Sequence, residues 1–107
     1  MPTYNKLVRD KIPQIIESKG KVFSTKTLND KDYIKYLKEK AYEELDEYCA
    51  AATGGEAVEE LADLLEVIRA LAKQHGSTIE EVEAVRKDKA EKRGGFEEKV
   101  FLIEVQD

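Results

Sequence analysis

The chain has one cysteine, one histidine, two prolines and no tryptophan among 107 residues. A single thiol, Cys49, excludes an intrachain disulfide and a cysteine-rich zinc site. With no base or second ligand beside it, Cys49 reads as a small buried hydrophobe. The lone His75 reads as a helix-end residue beside the C-terminal dipole. No apolar run approaches membrane-spanning length, and no cationic-then-apolar leader opens Met1-Pro2-Thr3. The expectation is a soluble cytoplasmic protein without membrane contact. A Gly-x-x-x-x-Gly-Lys-Ser/Thr loop is missing, which excludes a P-loop, and so is any Ser–His–acid set.

What is present is charge. Charged residues make up 38% and apolar ones 41%, against about 25% and roughly 45–50% in an average soluble domain. A chain this polar buries little, which favours long amphipathic helices in a bundle or oligomer. Its length suits a single domain, residues 1–107. The net charge of −5 is unevenly spread. Residues 41–52 carry −4, and 56–66 carry −5 with no Lys or Arg. Five bases and two acids crowd into Arg86–Arg93. Overall acidity argues against nucleic acid, whereas an acidic middle between basic ends suits a small phosphorylated ligand held through a metal.

Along the chain, Tyr4 to Lys11 opens as an arm that leads into a short helix. Asp10 is its expected N-cap, Ile12, Ile15 and Ile16 its buried side, and Gly20 its stop. Lys21 to Leu28 is β-branched and aromatic, too short for a helix, and reads as a strand. Asn29-Asp30 then caps a helix to about Ala52, with Ile34, Leu37, Ala41, Leu45, Tyr48 and Ala52 as its apolar stripe. Thr53-Gly54-Gly55 reads as a turn. The next helix, about Glu56 to Gln74, has two apolar rows. One is Val58, Leu61, Leu65, Ile68 and Ala72; the other is Leu64, Val67 and Leu71, headed by Glu60. A face that wide predicts burial on two sides and hence a subunit interface. Ser77-Thr78-Ile79-Glu80 reads as a capping box for a last helix, with Val82 and Val85 facing inward and Gly94-Gly95 ending it. Phe96 to Val105 reads as a second strand, which must pair with the first or with a partner's copy.

Chemistry gathers in the acidic middle. Glu44 and Glu47 are three residues apart, as are Glu60 and Asp63, and that spacing stacks each pair on one helix face. Antiparallel helices could aim all four at one point. At i+4 these acids meet Tyr48, Ala51, Leu64 and Val67 rather than Lys or Arg, so they border apolar surface without local relief. Two readings stand side by side. Either the acids are a solvated face, and the chain is a non-catalytic helical interaction module, or they face inward on a cation. All-oxygen ligands would select a hard ion, Mg²⁺ or Mn²⁺. On the last helix Lys89 and Arg93 continue the Val82–Val85 face, where cations could meet phosphate oxygens. Lys6, Arg9 and Lys11 cluster near the N-terminus.

Three blocks in order then become familiar: Tyr4-Asn5-Lys6-Leu7-Val8-Arg9-Asp10-Lys11-Ile12-Pro13, the paired acids, and Lys89-x-x-x-Arg93-Gly94-Gly95-Phe96. Together they resemble the all-α nucleoside triphosphate pyrophosphohydrolases, the MazG-like superfamily that includes phosphoribosyl-ATP pyrophosphohydrolase. The resemblance runs over nearly the whole chain. It implies a mainly α helical bundle, here with a small two-stranded β element, assembled as a homodimer at least. It implies Mg²⁺-dependent cleavage of a nucleoside triphosphate between the α- and β-phosphates, in some lines clearing noncanonical nucleotides. The alternative is hydrolysis of phosphoribosyl-ATP in histidine biosynthesis. Glu44, Glu47, Glu60 and Asp63 match the metal ligands. Lys89 and Arg93 match residues near the phosphates, and Lys6 and Arg9 belong to the opening signature and are assigned there too. Glu43 is the candidate base for the attacking water.

Overall fold

The computed structural model describes residues 3–107, so the Met1-Pro2 opening lies outside it. Four helices follow in order: α1 (Ile12–Ser18), α2 (Asp30–Ala50), α3 (Gly54–Gln74) and α4 (Ile79–Arg93). α2 and α3 form a helical hairpin, α4 packs on α3, and among the described residues α1 packs closely on no other helix.

Side-chain caps set three of the four helix starts. Asn29 Oδ1 accepts from the Asp32 N–H at 2.8 Å, as expected. Thr53 is more than part of a turn. Its hydroxyl accepts from the Glu56 N–H at 3.1 Å, while Glu56 Oε2 accepts from the Ala52 N–H at 3.0 Å. The box before α4 sits one residue later than the sequence suggests: Thr78 caps Glu81, and Ser77 donates to the Glu81 carboxylate. α1 begins after Lys11 with no side-chain cap, so Asp10 does not serve. Gly20 and Gly76, both at φ +71°, close α1 and α3 in the left-handed conformation that lets the following N–H groups reach back to the last carbonyls.

The core is thin. Leu37, Val67 and Ala72 are its buried apolar side chains among the described residues, all in the α2–α3 seam or at its end. In the inner row of α3, Val67 is buried and Leu64 and Leu71 are half-buried, whereas the outer row opens to solvent at Val58, Leu61 and Leu65 and is buried only at its end, at Ala72. Only one of the two sides expected to be covered is therefore covered within the chain. Cys49 is exposed, not buried. Val82 and Val85 on α4 are exposed as well, and α4 buries no residue.

The two-stranded β element is absent among the described residues. The segments expected to form it, 21–28 and 96–105, are non-helical and carry no ladder. Their β-branched and aromatic residues favour extended backbone, yet a strand persists only when another edge satisfies its N–H and C=O groups. Neither segment meets such an edge within the chain. Phe96 and Ile103 are left 98% and 87% exposed.

Candidate metal centre

The α2–α3 hairpin brings the paired acids face to face. α2 supplies Glu43, Glu44 and Glu47, and α3 supplies Glu60 and Asp63. Oxygens of Glu44, Glu60 and Asp63 all lie within 4.8 Å of one another, and so do those of Glu43, Glu44 and Glu47. The acids thus form two overlapping triads that share Glu44, rather than one four-fold point.

Glu44 is the hub because its place on α2 turns it into the seam, where it is only 6% exposed. Its Oε2 atom and the Oε2 atom of Glu60 are buried without a donor. A buried carboxylate that faces other carboxylates can share a hydrogen bond only if one of them keeps a proton. Burial, then the Glu60 and Glu47 carboxylates, accordingly push Glu44 up to about 8. Glu60 is also raised, first through Glu47. At neutral pH the bare site therefore holds a proton where a cation could sit.

The donor chemistry fits a hard divalent ion. All ligand atoms are carboxylate oxygens that lie within 4.8 Å of one another in each triad, and two oxygens of the cluster lack any partner, a donor set suited to a hard cation.

Two neighbouring cations escape a reading that looks only four residues ahead. Lys40, one turn before the acids, lies 3.4 Å from Glu43 Oε2 and 3.9 Å from Glu44 Oε1. Local relief therefore exists, and the signal was available by counting back to i−3 and i−4 as well as forward. Arg9 donates to Asp63 Oδ1 at 2.7 Å across 54 residues, which ties the N-terminal arm to the site. No local pattern announces that contact.

The other expected bases stand apart. Lys6 lies over the Tyr4 ring at 5.7 Å. On α4 the ion pairs are Arg86–Glu83 and Lys92–Asp88, which leaves Lys89 and Arg93 without an acidic partner among the described residues. Neither is brought against the acids within one chain.

Residues 4–89 match the protein family described as phosphoribosyl-ATP pyrophosphohydrolase. The matched span takes in the N-terminal arm, both acid-bearing helices and Lys89. No curated protein and no solved structure matches the chain significantly.

Proposed function

Since the chain belongs to the phosphoribosyl-ATP pyrophosphohydrolase family, we propose that its acidic seam is the site where a nucleotide loses pyrophosphate with the help of Mg²⁺. Enzymes of this family hydrolyse a phosphoanhydride bond of a nucleotide. The observation that carries the assignment of the site is the pair of buried, donorless oxygens on Glu44 and Glu60. Structural acids are placed where water or a base can reach them. Lys40 reaches Oε1 of Glu44, but the Oε2 atoms of Glu44 and Glu60 meet no donor, and a proton or a bound cation would relieve them.

Glu44, Glu47, Glu60 and Asp63 would hold Mg²⁺, or Mn²⁺. Bound there, the ion supplies Lewis acidity and offsets the repulsion between carboxylates and polyphosphate. Glu43, half-buried beside Lys40, is the proposed acceptor for the proton of the attacking water. The ammonium of Lys40 holds that carboxylate in place and balances part of its charge. Arg9, already drawn to Asp63, can extend to phosphate oxygens, with Lys6 following on the same arm. Lys89 and Arg93, free of acidic partners on α4, are the remaining phosphate contacts. Cleavage falls between the α- and β-phosphates and leaves a monophosphate and pyrophosphate.

The family match favours phosphoribosyl-ATP as substrate, and an ordinary or noncanonical nucleoside triphosphate is the second reading. The catalytic unit is the single domain 1–107, a cytoplasmic homo-oligomer that engages neither nucleic acid nor membrane. Among the described residues no helix is long and apolar enough to cross a membrane. A pyrophosphate-release assay with Mg²⁺, run on phosphoribosyl-ATP and a panel of triphosphates, tests the assignment. Glu44→Gln and Glu60→Gln should abolish turnover while circular dichroism stays helical. Unchanged rates in both variants would defeat it.

A further inference from the structure

The chain exposes far more surface than a self-sufficient fold of its mass. A 12.2 kDa protein should expose about 6,100 Å², yet the accessible surface here is 9730 Å². The radius of gyration tells the same story: 18.3 Å against about 13 Å for a compact chain of this length. The excess exceeds the ~1,000–2,500 Å² that one protomer contributes to an obligate homodimer.

Two apolar surfaces contribute to it. One is the outer row of α3, with Val58, Leu61 and Leu65 at 65%, 46% and 54% exposure. The other is the arm beyond Gly94-Gly95, where Val100, Phe101, Leu102, Ile103 and Val105 are all more than two-thirds exposed. Their dimensions agree. In extended backbone Phe101, Ile103 and Val105 share one side and span about 13 Å. Val58 to Leu65 span about 10 Å along the helix.

Both surfaces are free in the same chain, yet they do not meet there. A turn in which the Lys99 N–H donates to the Phe96 carbonyl, with Lys99 at φ +60°, precedes the apolar part of the arm. We propose that the Phe96–Val105 arm is an exchange arm, which lays its apolar residues on the outer row of α3 in a second copy of the chain. The inference rests on the homo-oligomer reading above and adds to it which segment crosses between subunits. Arms exchanged in both directions would cover both surfaces with one symmetric contact. They would also draw the neighbouring Lys89–Arg93 end of α4 toward the partner's α3, the helix that bears Glu60 and Asp63.

The test uses the full chain in a Cys49→Ser background carrying Leu65→Cys and Phe101→Cys together. After mild oxidation, non-reducing electrophoresis should show a dimer, with either single-cysteine variant cross-linking far less. A monomer band whose thiols have been consumed within the chain, or thiols that remain free, would overturn the arm exchange. Sedimentation of the unmodified chain separates the exchange from the homo-oligomer. A mass of 12.2 kDa at micromolar concentration would overturn both the exchange and the homo-oligomer. A dimer that yields no cross-link overturns the exchange alone. In the chain with native Leu65 and Cys49, Phe101→Asp with Ile103→Asp should raise the dissociation constant at least ten-fold. An unaltered constant also counts against the arm.

Discussion

The α2–α3 hairpin and the C-terminal arm invert the usual rule in opposite directions. The hairpin buries a carboxylate, Glu44, in its tightest seam, whereas the arm holds Phe96 and Ile103 almost wholly in water. Both arrangements cost free energy in an isolated chain, the first through desolvated like charges and the second through unburied apolar surface. Such costs persist where another component relieves them. A cation suits the hairpin and a second subunit suits the arm. The comparison therefore separates what this chain specifies by itself, a capped helical hairpin, from what it specifies only in company.

Neutralising the hub tests the contrast between hairpin and arm most severely. Glu44→Gln keeps the shape of the side chain and removes its charge, so the two functions of the site should part. Groups that merely support metal ligands cost about 10–100-fold when changed, and a ligand itself should cost at least about 100-fold in turnover. Metal-free Glu44→Gln should nevertheless melt above the parent at pH 8, because the like-charge contact with Glu47, Glu60 and Asp63 is gone. A variant that loses both activity and stability would mean that the Lys40 ammonium outweighs the neighbouring carboxylates at Glu44.

The pH dependence follows from the same group. Glu44 titrates at about 8 in the folded chain against an ordinary 4.5, so between those values the folded state holds a proton that the unfolded state has lost. The stabilisation is complete below about 4.5 and disappears as pH rises through about 8. Metal-free protein should melt several degrees lower at pH 9 than at pH 6. Millimolar Mg²⁺ should remove that slope, and Glu44→Gln should lack it from the start. Thermal scans at fixed ionic strength decide this. A melting temperature that rises with pH in the metal-free protein would contradict a raised Glu44.

The helices were legible in the sequence because their signals are local. Asn29 caps α2 as its side chain predicts, the i,i+3 acids sit on facing sides of a hairpin, and Gly76 ends α3. The gathering of the acids was legible for the same reason. What failed depends on partners distant in sequence. β-Branched stretches at 21–28 and 96–105 have strand propensity, but propensity supplies no edge to pair with. Arg9 reaches Asp63 across the fold, and only tertiary structure brings them together. The contact of Lys40 is local too, since a helix neighbour at i−4 is as close as one at i+4.

The smallest effect concerns Arg9 and asks whether the arm at the other end of the chain belongs with the hairpin or with the exposed surfaces. Its ion pair with Asp63 is short, but the side chains are 59% and 40% exposed. Exposed pairs are worth about 0.2–1 kcal/mol, so Arg9→Met should move the melting temperature very little. Metal affinity is the more telling readout. Arg9 and a divalent ion draw on the same Asp63 carboxylate, and removing the guanidinium should tighten Mg²⁺ binding, by no more than about five-fold if the whole pair energy is recovered. The same variant should weaken nucleotide binding, seen as a raised KM with little change in kcat, if Arg9 moves to the phosphates once the ion takes its place. Calorimetry with Mg²⁺ alone separates these effects from catalysis. Weaker Mg²⁺ binding in Arg9→Met would show the arm steadying the acids for the ion rather than competing with it, and the arm would then count as part of the hairpin's own structure.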